Sequence, residues 1–406
     1  MAFPAERTHP RAAMPVSKSA AVALNPTVWR PIPCRSPSWV LPMPLNVTHA
    51  ETAERDASAA VASLRTQLDA LLLFCDAEYD LDALGLAIKA GFDCPVIGCT
   101  AAGQIGERGF QSSGILVAGL RGGVLQAQPV LIAPLSDLQA QVAVAAEAVQ
   151  AASVDKAGRC FALLLVDGLS TCEEYLAAAL YRMIGNVPLL GGSAGDNLRF
   201  ERTQVYYDGR FLADAAVLTL FQSQHPFVVF KLQHFVASEV ELVVTDADPD
   251  RRLIREINGE PAALAYAEAI GVPLDALDPH VFSTYPLLLI LSGEPYVRSI
   301  LRVNEDLSLT CYCAVEEGMV VAVGKAVDVM ETLQQAFAEV HETVPDPALV
   351  IGCDCILRRI EFGQSQMQQQ VGAFMAQQRV FGFSTYGEQF NGLHVNQTFT
   401  GVAIGR

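Results

Sequence analysis

The segment FALLLVDGLSTCEEYLAAALYRMIGNVPLLGGSAGDNL, residues 161–198, decides the fold. It begins with an apolar run that is typical of a buried strand and continues through the polar turn DGLS into an amphipathic stretch of helical length. A second apolar run and a Gly-x-Ser turn follow. This order predicts a βαβ unit, in which a right-handed crossover keeps the two strands parallel.

Two other segments repeat this pattern. Residues 69–105 are DALLLFCDAEYDLDALGLAIKAGFDCPVIGCTAAGQI, and residues 348–390 are ALVIGCDCILRRIEFGQSQMQQQVGAFMAQQRVFGFSTYGEQF. A helical stretch precedes each of the three segments and a strand-like stretch follows it, which gives a repeated αβαβ-turn-β unit. Internal repetition on this scale is a property of the fold. We therefore predict an α/β protein with mixed, largely parallel sheets.

The region between the second and third segments has a different pattern. VELVVTDADP, residues 240–249, predicts a strand, and Leu309, Cys311 and Cys313 alternate with more polar neighbours as in a sheet with one half-exposed face. This region predicts the start of a second, α+β C-terminal domain. The expected domains are residues 43–225, with two repeat units, and residues 226–406, with the insert and the third unit.

Residues 1–42 differ in composition from the rest of the chain. They are rich in Pro, Ala and Ser and carry five basic residues against one acid. This composition predicts a disordered, Pro-rich arm. A mis-assigned start is the alternative, with Met43 rather than Met1 as the first residue of the protein.

Composition also excludes several classes of protein. The formal net charge of −17 disfavours a nucleic-acid surface, which needs clustered Lys and Arg. No uninterrupted apolar stretch reaches the length of a membrane span, so we expect a soluble protein. The ten cysteines include no C-x-x-C pair, which favours reduced thiols and a cytoplasmic location.

Polar residues follow the predicted strands of all three units. Asp76, Asp167 and Asp354 come after the first strand of each unit, and hydroxyl residues come after the second. Because the carboxyl ends of parallel strands meet at one edge of a sheet, these side chains are predicted to face a common ligand crevice. The crevice residues that we predict are Asp167, Ser193, Asp196, Asp354, Ser384 and Glu388.

Catalytic alternatives arise from the same residues. GGSAG, residues 191–195, fits the G-x-S-x-G pattern of a hydrolase with Ser193 as nucleophile. A helix should follow such a nucleophile, whereas here the chain continues toward a strand, and the other two repeats have Thr100 and Ser384 in similar turns. The carboxylates can form an acid–base pair or a metal site only if their loops converge; otherwise they cap helices and turns.

Several motifs resemble one family. The turns VIGCTAAGQI and PLLGGSAGDN, the DGLS segment, the C-x-x-R of Cys355 to Arg358 and the terminal GFSTYGE resemble FIST sensory domains, in their N-terminal and C-terminal halves, over roughly residues 50–406. Residues 234–272, 350–359 and 384–405 are similar to the narrower NosP branch. That branch is described as haem-binding nitric oxide sensors that act through histidine kinases or cyclic-di-GMP enzymes.

The narrower resemblance implies a b-type haem that binds nitric oxide. Haem needs an axial ligand, an apolar slot and charge partners for its propionates. We rank His234 first as the axial and metal ligand, because it lies where an apolar strand enters the insert, and His394 second, because it follows the crevice turn. Arg358 can meet a propionate or another carboxylate. Three further residues of haem-ligating types stay open as ligands, namely Tyr285, Cys353 and Cys355.

Two functions remain open at this stage. One is a haem-based nitric oxide sensor, and the other is a FIST-type sensor of a small polar metabolite without haem; a hydrolase that uses Ser193 comes third. No motif predicts a kinase, cyclase or receiver, so the output requires a separate partner, a histidine kinase or a cyclic-di-GMP enzyme. The sequence is compatible with a homo-oligomer.

Overall fold

The computed structural model describes residues 43–63, 68–123, 125–154, 156 and 158–406, and the arm predicted for residues 1–42 lies outside them. Three parts of the chain follow one order of elements: strand, helix, strand, helix, strand, a two-stranded hairpin and a last strand. The third part adds an insert after its first strand and a further helix before its third strand. We call these three parts the first, second and third repeats. The first repeat has β1 (Asn46–Thr52), α1 (Ala57–Ser63), β2 (Ala70–Cys75), α2 (Leu81–Gly91), β3 (Val96–Thr100), β4 (Gln104–Gly106), β5 (Gly109–Gln111) and β6 (Ile115–Arg121).

The second repeat has the same order, with a 3-10 turn (Leu135–Asp137) before its first helix. Each repeat also begins with a strand that the predicted αβαβ-turn-β unit did not include. The elements are β7 (Leu125–Ile132), α3 (Leu138–Ser153), β8 (Cys160–Val166), α4 (Glu173–Ile184), β9 (Leu189–Ser193), β10 (Val205–Tyr207), β11 (Arg210–Leu212) and β12 (Ala216–Ser223).

The third repeat begins with β13 (Phe227–Leu232) and is then interrupted by an insert. The insert has β14 (Phe235–Asp248), β15 (Leu253–Ile257), β16 (Glu260–Pro261), α5 (Ala262–Ile270), α6 (Pro279–Thr284), β17 (Leu287–Leu291), β18 (Glu294–Arg298), β19 (Ile300–Val303), β20 (Leu309–Cys311) and β21 (Val320–Ala326). The third repeat continues with α7 (Val329–Thr343), β22 (Pro347–Cys355), α8 (Ile356–Gln364), α9 (Gln368–Gln377), β23 (Val380–Thr385), β24 (Glu388–Phe390), β25 (Leu393–Val395) and β26 (Phe399–Gly405).

Each repeat builds a six-stranded sheet with one parallel pair. The pairs β2 with β3, β8 with β9 and β22 with β23 are parallel, as the crossover helices between them require. The last strand of each repeat returns antiparallel and lies between the first and second strands, and the hairpins also pair antiparallel. The predicted βαβ pairs are therefore confirmed, whereas the prediction of largely parallel sheets is wrong.

The outer hairpin of each sheet comes from a different repeat. The β10–β11 hairpin of the second repeat pairs with β3 of the first, the β24–β25 hairpin of the third pairs with β9 of the second, and the β4–β5 hairpin of the first pairs with β23 of the third. This exchange is cyclic. The three repeats consequently surround a pseudo-threefold axis, and each sheet needs strands from its neighbour.

Three equivalent hydrogen bonds join the turns around the axis. Ala102 N donates to Ser384 O at 3.0 Å, Gly195 N donates to Thr100 O at 3.1 Å, and Tyr386 N donates to Ser193 O at 3.1 Å. The inner faces of the three sheets enclose one large apolar core below these turns, while the helices cover the outer faces. The predicted Gly-x-Ser/Thr turns thus meet at the axis.

One glycine in each repeat allows the parallel strands to approach. A Cβ on Gly98, Gly191 or Gly382 would lie 2.2, 2.1 or 1.9 Å from a carbonyl oxygen of the neighbouring strand. Such a distance is far inside van der Waals contact, so a side chain at any of these positions would push the strands apart. The same steric requirement in all three repeats is further support for their equivalence.

The insert forms a sheet of its own over the described residues. All of its strand pairs are antiparallel, and helices α5 and α6 cover one face, which agrees with the α+β character predicted for this region. Polar contacts attach it to the repeats: Arg252 Nη2 lies 2.5 Å from Glu173 Oε2, and Gln397 Nε2 donates to Ser283 O at 2.8 Å. Within the part of the chain that is described, no helix combines the length and apolar character needed to cross a membrane.

Candidate functional site

Strand register shows which residue of each first strand occupies the same place. Asp354 of β22 pairs with Ser384, as Cys75 and Val166 pair with the equivalent turn residues of their own repeats. Asp354 is therefore the counterpart of Cys75 and Val166. Asp167 lies one residue further along its strand, so the sequence alignment of Asp354 with Asp167 was displaced by one residue. Since such a displacement reverses the side of the sheet, Asp354 lies on the face that the helices cover.

A chain of hydrogen bonds surrounds Asp354 beneath helix α8. Arg358 Nε donates to Asp354 Oδ1 at 2.7 Å, and both side chains are fully buried. Arg358 Nη1 lies 3.2 Å from His234 Nδ1, and His234 Nε2 lies 2.7 Å from Glu361 Oε1. Because a guanidinium only donates, Nδ1 of His234 accepts, and its Nε2 carries the hydrogen toward Glu361. We call Asp354, Arg358, His234, Glu361 and Ser384 the α8 cluster.

Four polar atoms of the α8 cluster are buried without a hydrogen-bond partner. They are Asp354 Oδ2, Arg358 Nη2, Glu361 Oε2 and Ser384 Oγ. Burial raises the pKa of Asp354 above its usual value, although the guanidinium of Arg358 opposes the rise. Most buried polar atoms in proteins are paired, because an unpaired one loses its bonds to water without replacement. The cluster therefore has unused capacity both to donate and to accept.

A second polar cluster contains His394 and joins the repeats to the insert. Gln389 Nε2 donates to Ser193 Oγ at 3.0 Å and lies 3.2 Å from His394 Nδ1, and Arg298 Nη1 of the insert donates to His394 O at 2.9 Å. Burial lowers the pKa of His394, although Glu174 opposes this, so its imidazole is neutral at pH 7. His394 Nε2 has no partner. We call Ser193, Gln389, His394 and Arg298 the His394 cluster.

The environment of Ser193 lacks the features of a hydrolase nucleophile. Its hydroxyl accepts from an amide group, Gln389 Nε2, instead of donating to a base. Strand β9 leads into an irregular loop, residues 196–203, and not into the helix that a nucleophile elbow requires. The hydroxyl at this position is a structural partner of the exchanged hairpin.

Asp167 holds the turn that follows strand β8. Its carboxylate accepts from the backbone N–H of Leu169 at 3.1 Å and of Asp214 at 2.7 Å, and from the hydroxyl of Thr203. Asp76 makes the equivalent local bond in the first repeat, to Glu78 N at 3.0 Å. Both carboxylates thus satisfy turn amides, which is the commoner use of such residues.

Asp196 holds the 196–203 loop. Its carboxylate accepts from the backbone N–H groups of Phe200, Glu201 and Arg202 at 2.8 to 3.0 Å and from the Tyr386 hydroxyl. Burial would raise its pKa, but these hydrogen bonds outweigh burial and lower it. Asp196 is therefore a fully used acceptor that fixes the shape of the loop.

Glu388 lies on the axis side of the sheet and is fully buried. Thr385 Oγ1 donates to its Oε1, and Thr398 N lies 3.3 Å from its Oε2. Burial raises the pKa of Glu388 well above its usual value, and the nearby Asp354 adds to the rise. Glu388 consequently keeps its proton to a higher pH than an exposed glutamate does.

The structure brings only two of the predicted crevice residues into one cluster, namely Asp354 and Ser384. Ser193 lies in the His394 cluster and Glu388 on the axis side, while the two remaining carboxylates hold turns and loops. Sequence analysis missed Glu361, which helical spacing from Arg358 could have indicated. It also missed Gln389, because no sequence pattern predicts that a hairpin of the third repeat pairs with β9.

The two histidines predicted as haem ligands lie in polar clusters, whereas Cys353 packs in the apolar core of the repeats. Both ring nitrogens of His234 are hydrogen-bonded, so His234 does not fit an axial ligand in this arrangement. His394 has one unpaired ring nitrogen. Cavities of about 440 Å³ and about 300 Å³ open on the surface, and neither is lined by these histidines. The described residues contain no group of three or more His, Cys, Asp or Glu that could hold a metal ion.

Comparison with known families gives two adjacent matches. Residues 69–260 match the FIST N domain, and residues 262–391 match the FIST C domain. A comparison with curated proteins gave no match. The domain boundary predicted after residue 225 and the narrower NosP resemblance stay predictions. FIST domains are sensory signalling domains. The chain therefore belongs to the FIST proteins, with a FIST N domain followed by a FIST C domain.

Proposed function

We propose that this protein is a sensor in which a small polar ligand binds at the α8 cluster and a separate partner reads the bound state. One observation carries the proposal: the α8 cluster has four buried polar atoms without partners. Three of the side chains concerned, Asp354, Arg358 and Ser384, are fully buried. A ligand that paired these atoms would recover hydrogen bonds that the free protein lacks.

The unpaired atoms indicate the chemistry of the ligand. Arg358 Nη2 is a charged donor, which suits a carboxylate or carbonyl oxygen. Asp354 Oδ2 and Glu361 Oε2 accept from amine, amide or hydroxyl groups, and Ser384 Oγ can do either. A molecule of a few heavy atoms that carries both a carboxylate and an N–H or O–H group fits this set.

The cluster is well situated to influence the insert. His234 lies between β13 and β14, where the chain enters the insert, and its backbone oxygen accepts from Val327 N where the chain leaves it, at 2.8 Å. A ligand on Arg358 Nη2 would act on the guanidinium whose Nη1 contacts His234, and so would favour one arrangement of this junction over another. The histidine kinase or cyclic-di-GMP enzyme implied by the NosP resemblance, and a cytoplasmic location, belong to the same proposal.

Ser384→Ala tests this function with little disturbance of the fold, because its hydroxyl has no partner to lose. Thr219→Val is the matched control, since Thr219 Oγ1 is also buried and unpaired but lies on β12. Thermal-shift and calorimetric titration would use a panel of amino-, amide- and hydroxy-carboxylates. We expect Ser384→Ala to weaken binding of the active compound roughly 2- to 10-fold, and Thr219→Val to leave it unchanged.

Arg358→Lys supplies a second measurement, because Lys keeps the charge but loses the paired donors of the guanidinium. Binding should weaken more than in Ser384→Ala. A panel without any binder, or a binder whose affinity is the same in all three variants, would contradict the α8 cluster as the site.

Haem-based sensing of nitric oxide is the second candidate, and one observation favours it. His394 is buried and neutral and has an unpaired Nε2, as an imidazole ligand of iron must. A haem with an open coordination position would supply the iron that binds nitric oxide. Absorption spectra after haem addition should then show a Soret band that His394→Ala loses and His234→Ala keeps. Absence of the band, or its survival in His394→Ala, would exclude this candidate.

A further inference from the structure

A groove of about 300 Å³ lies where the three repeats meet, and we call it the Arg359 groove. Its floor is Ala102 of the first repeat, one wall is helix α8 of the third repeat, and the other wall is the 196–203 loop of the second. No residue of the α8 cluster lines it. The residues that line it are Ala102, Asn197, Leu198, Ile356, Arg359, Ile360, Gly363 and Gln368.

The 196–203 loop exists only in the second repeat. In the first and third repeats the turn passes through Gly103 or Gly387 directly into the hairpin, whereas here eight residues, 196–203, intervene. The loop is rigid, because Asp196 accepts three of its backbone N–H groups and the Tyr386 hydroxyl accepts from Leu198 N at 2.7 Å. A wall that is fixed before binding costs little entropy when a ligand binds.

Arg359 brings a positive charge to the groove without an acidic partner. Its Nη1 donates to Ala102 O at 3.1 Å, and its guanidinium lies 5.9 Å from the centre of the Phe110 ring. Among the described residues it forms no salt bridge, and Asp354, whose charge acts on it, is bonded to Arg358. Gly103 makes this position accessible, since a Cβ there would lie 1.5 Å from Nη1.

The remaining lining is mainly apolar. Ile356 and Ile360 form a small apolar cluster with Ala102, and Leu198 stands on the opposite wall with 39% of its surface exposed. A single guanidinium without an ion pair, beside aliphatic side chains, matches a molecule with one anionic head and a hydrocarbon tail. Neutral polar molecules would leave the aliphatic wall uncovered, and hydrocarbons would leave the guanidinium without an acceptor.

We infer that the Arg359 groove binds a small monocarboxylate with a short aliphatic tail. The carboxylate accepts from the free N–H groups of Arg359, and the tail lies between Leu198 and the isoleucines of α8. This site is separate from the one in the proposed function, so either can fail without the other.

Octanoate is the probe, titrated calorimetrically into the full chain, with octan-1-ol as the uncharged comparison. We expect octanoate to bind in the millimolar range or tighter and octan-1-ol to bind at least several-fold more weakly. Arg359→Gln should weaken octanoate binding roughly 10- to 100-fold, because a charge-assisted bond is lost, and Arg359→Lys should restore part of it.

Two controls separate this site from general effects. Arg202→Gln removes an exposed arginine of the same loop that does not line the groove, and Ser384→Ala alters the α8 cluster; both should bind octanoate as the wild type does. Leu198→Ser changes the aliphatic wall without touching the charge and should weaken binding a few-fold. No octanoate binding in the wild type, equal binding in Arg359→Gln, or equal binding of octan-1-ol would overturn the inference.

Discussion

The third repeat has the same strand order in its sheet as the first two, yet the chemistry beneath its first crossover helix differs. Where β2 has Cys75 and β8 has Val166 in apolar packing, β22 has Asp354, bonded to Arg358 of α8. The shared features, such as the close-approach glycines and the exchanged hairpins, are sufficient to build the fold in two repeats that have an uncharged side chain at this position. The buried ion pair of the third repeat is therefore not required by the architecture.

Asp354→Ala gives the largest effect that we expect. It leaves the guanidinium of Arg358 fully buried without a carboxylate, and the free energy of unfolding in urea should fall by about 3–5 kcal/mol. The double variant Asp354→Val/Arg358→Met makes this position apolar, as Val166 does in the second repeat, and should recover most of the lost free energy of unfolding. A double variant as unstable as Asp354→Ala would mean that the third repeat needs its charges to fold.

Alanine at the close-approach glycines tests what the repeats share. Gly98→Ala, Gly191→Ala and Gly382→Ala each place a methyl group within 2.2 Å of a carbonyl oxygen. Each should lower the free energy of unfolding by about 1–3 kcal/mol, because the strands must separate. The measurement is urea denaturation of the three single variants. If one variant kept wild-type stability, the glycine of that repeat would not have the same steric role as the other two.

Glu388→Gln tests one position of the exchanged hairpins. Glu388 begins the hairpin of the third repeat, and Gln104 has the equivalent position in the first repeat. The folded-state pKa of Glu388 is raised above its usual value of about 4.5, so the stability linked to its proton is full below that pH and is lost as the pH rises through the raised pKa. Gln has no such proton. The free energy of unfolding of Glu388→Gln should therefore decline less from about pH 5 to about pH 8 than that of the wild type.

Urea denaturation at several pH values measures this difference, and Glu316→Gln, at an exposed position, is the matched control. Parallel curves for Glu388→Gln and the wild type would show that Glu388 is ionised in the folded protein. The hairpins of the first and third repeats would then differ in charge, and not only in residue type.

The smallest effect concerns the ion pair of the first repeat. Arg55 Nη2 lies 3.4 Å from Asp76 Oδ2, and half of the arginine side chain is exposed. Arg55→Ala should change the free energy of unfolding by less than about 1 kcal/mol, because water and salt screen an exposed pair. Denaturation at low and high salt measures it. A loss as large as that of Asp354→Ala would remove the contrast between exposed and buried pairs.

The repeats and their parallel pairs could be predicted because strand, helix and glycine turn leave a periodic pattern in each copy. The first strand of the first repeat could not: NVTHAET of β1 is partly exposed throughout, and among the described residues it pairs with the distant β6. The sheets are mainly antiparallel because β6, β12 and β26 return between earlier strands, and this order depends on contacts between residues far apart in the chain.

The residues of the candidate site could likewise be predicted only in part from the sequence. Asp354 stood out in the sequence because it ends an apolar strand, and Arg358 because it ends the C-x-x-R motif. Their neighbour Ser384 was found, but Asp354 was assigned to the wrong side of the sheet, since an alignment of short apolar strands cannot fix a register to one residue. Only the pairing of β22 with β23 settles which carboxylate faces α8.

The cyclic exchange of hairpins has a consequence for how the chain folds during synthesis. The sheet of the second repeat is completed by β24 and β25, which are synthesised almost last. The hairpin that completes the sheet of the third repeat, β4 and β5, is synthesised near the beginning. Each nascent repeat exposes a strand edge until its neighbour arrives, and such edges invite aggregation. A chain that stops at residue 225 would lack the hairpin that covers the edge of β9, so we expect the three repeats to fold cooperatively.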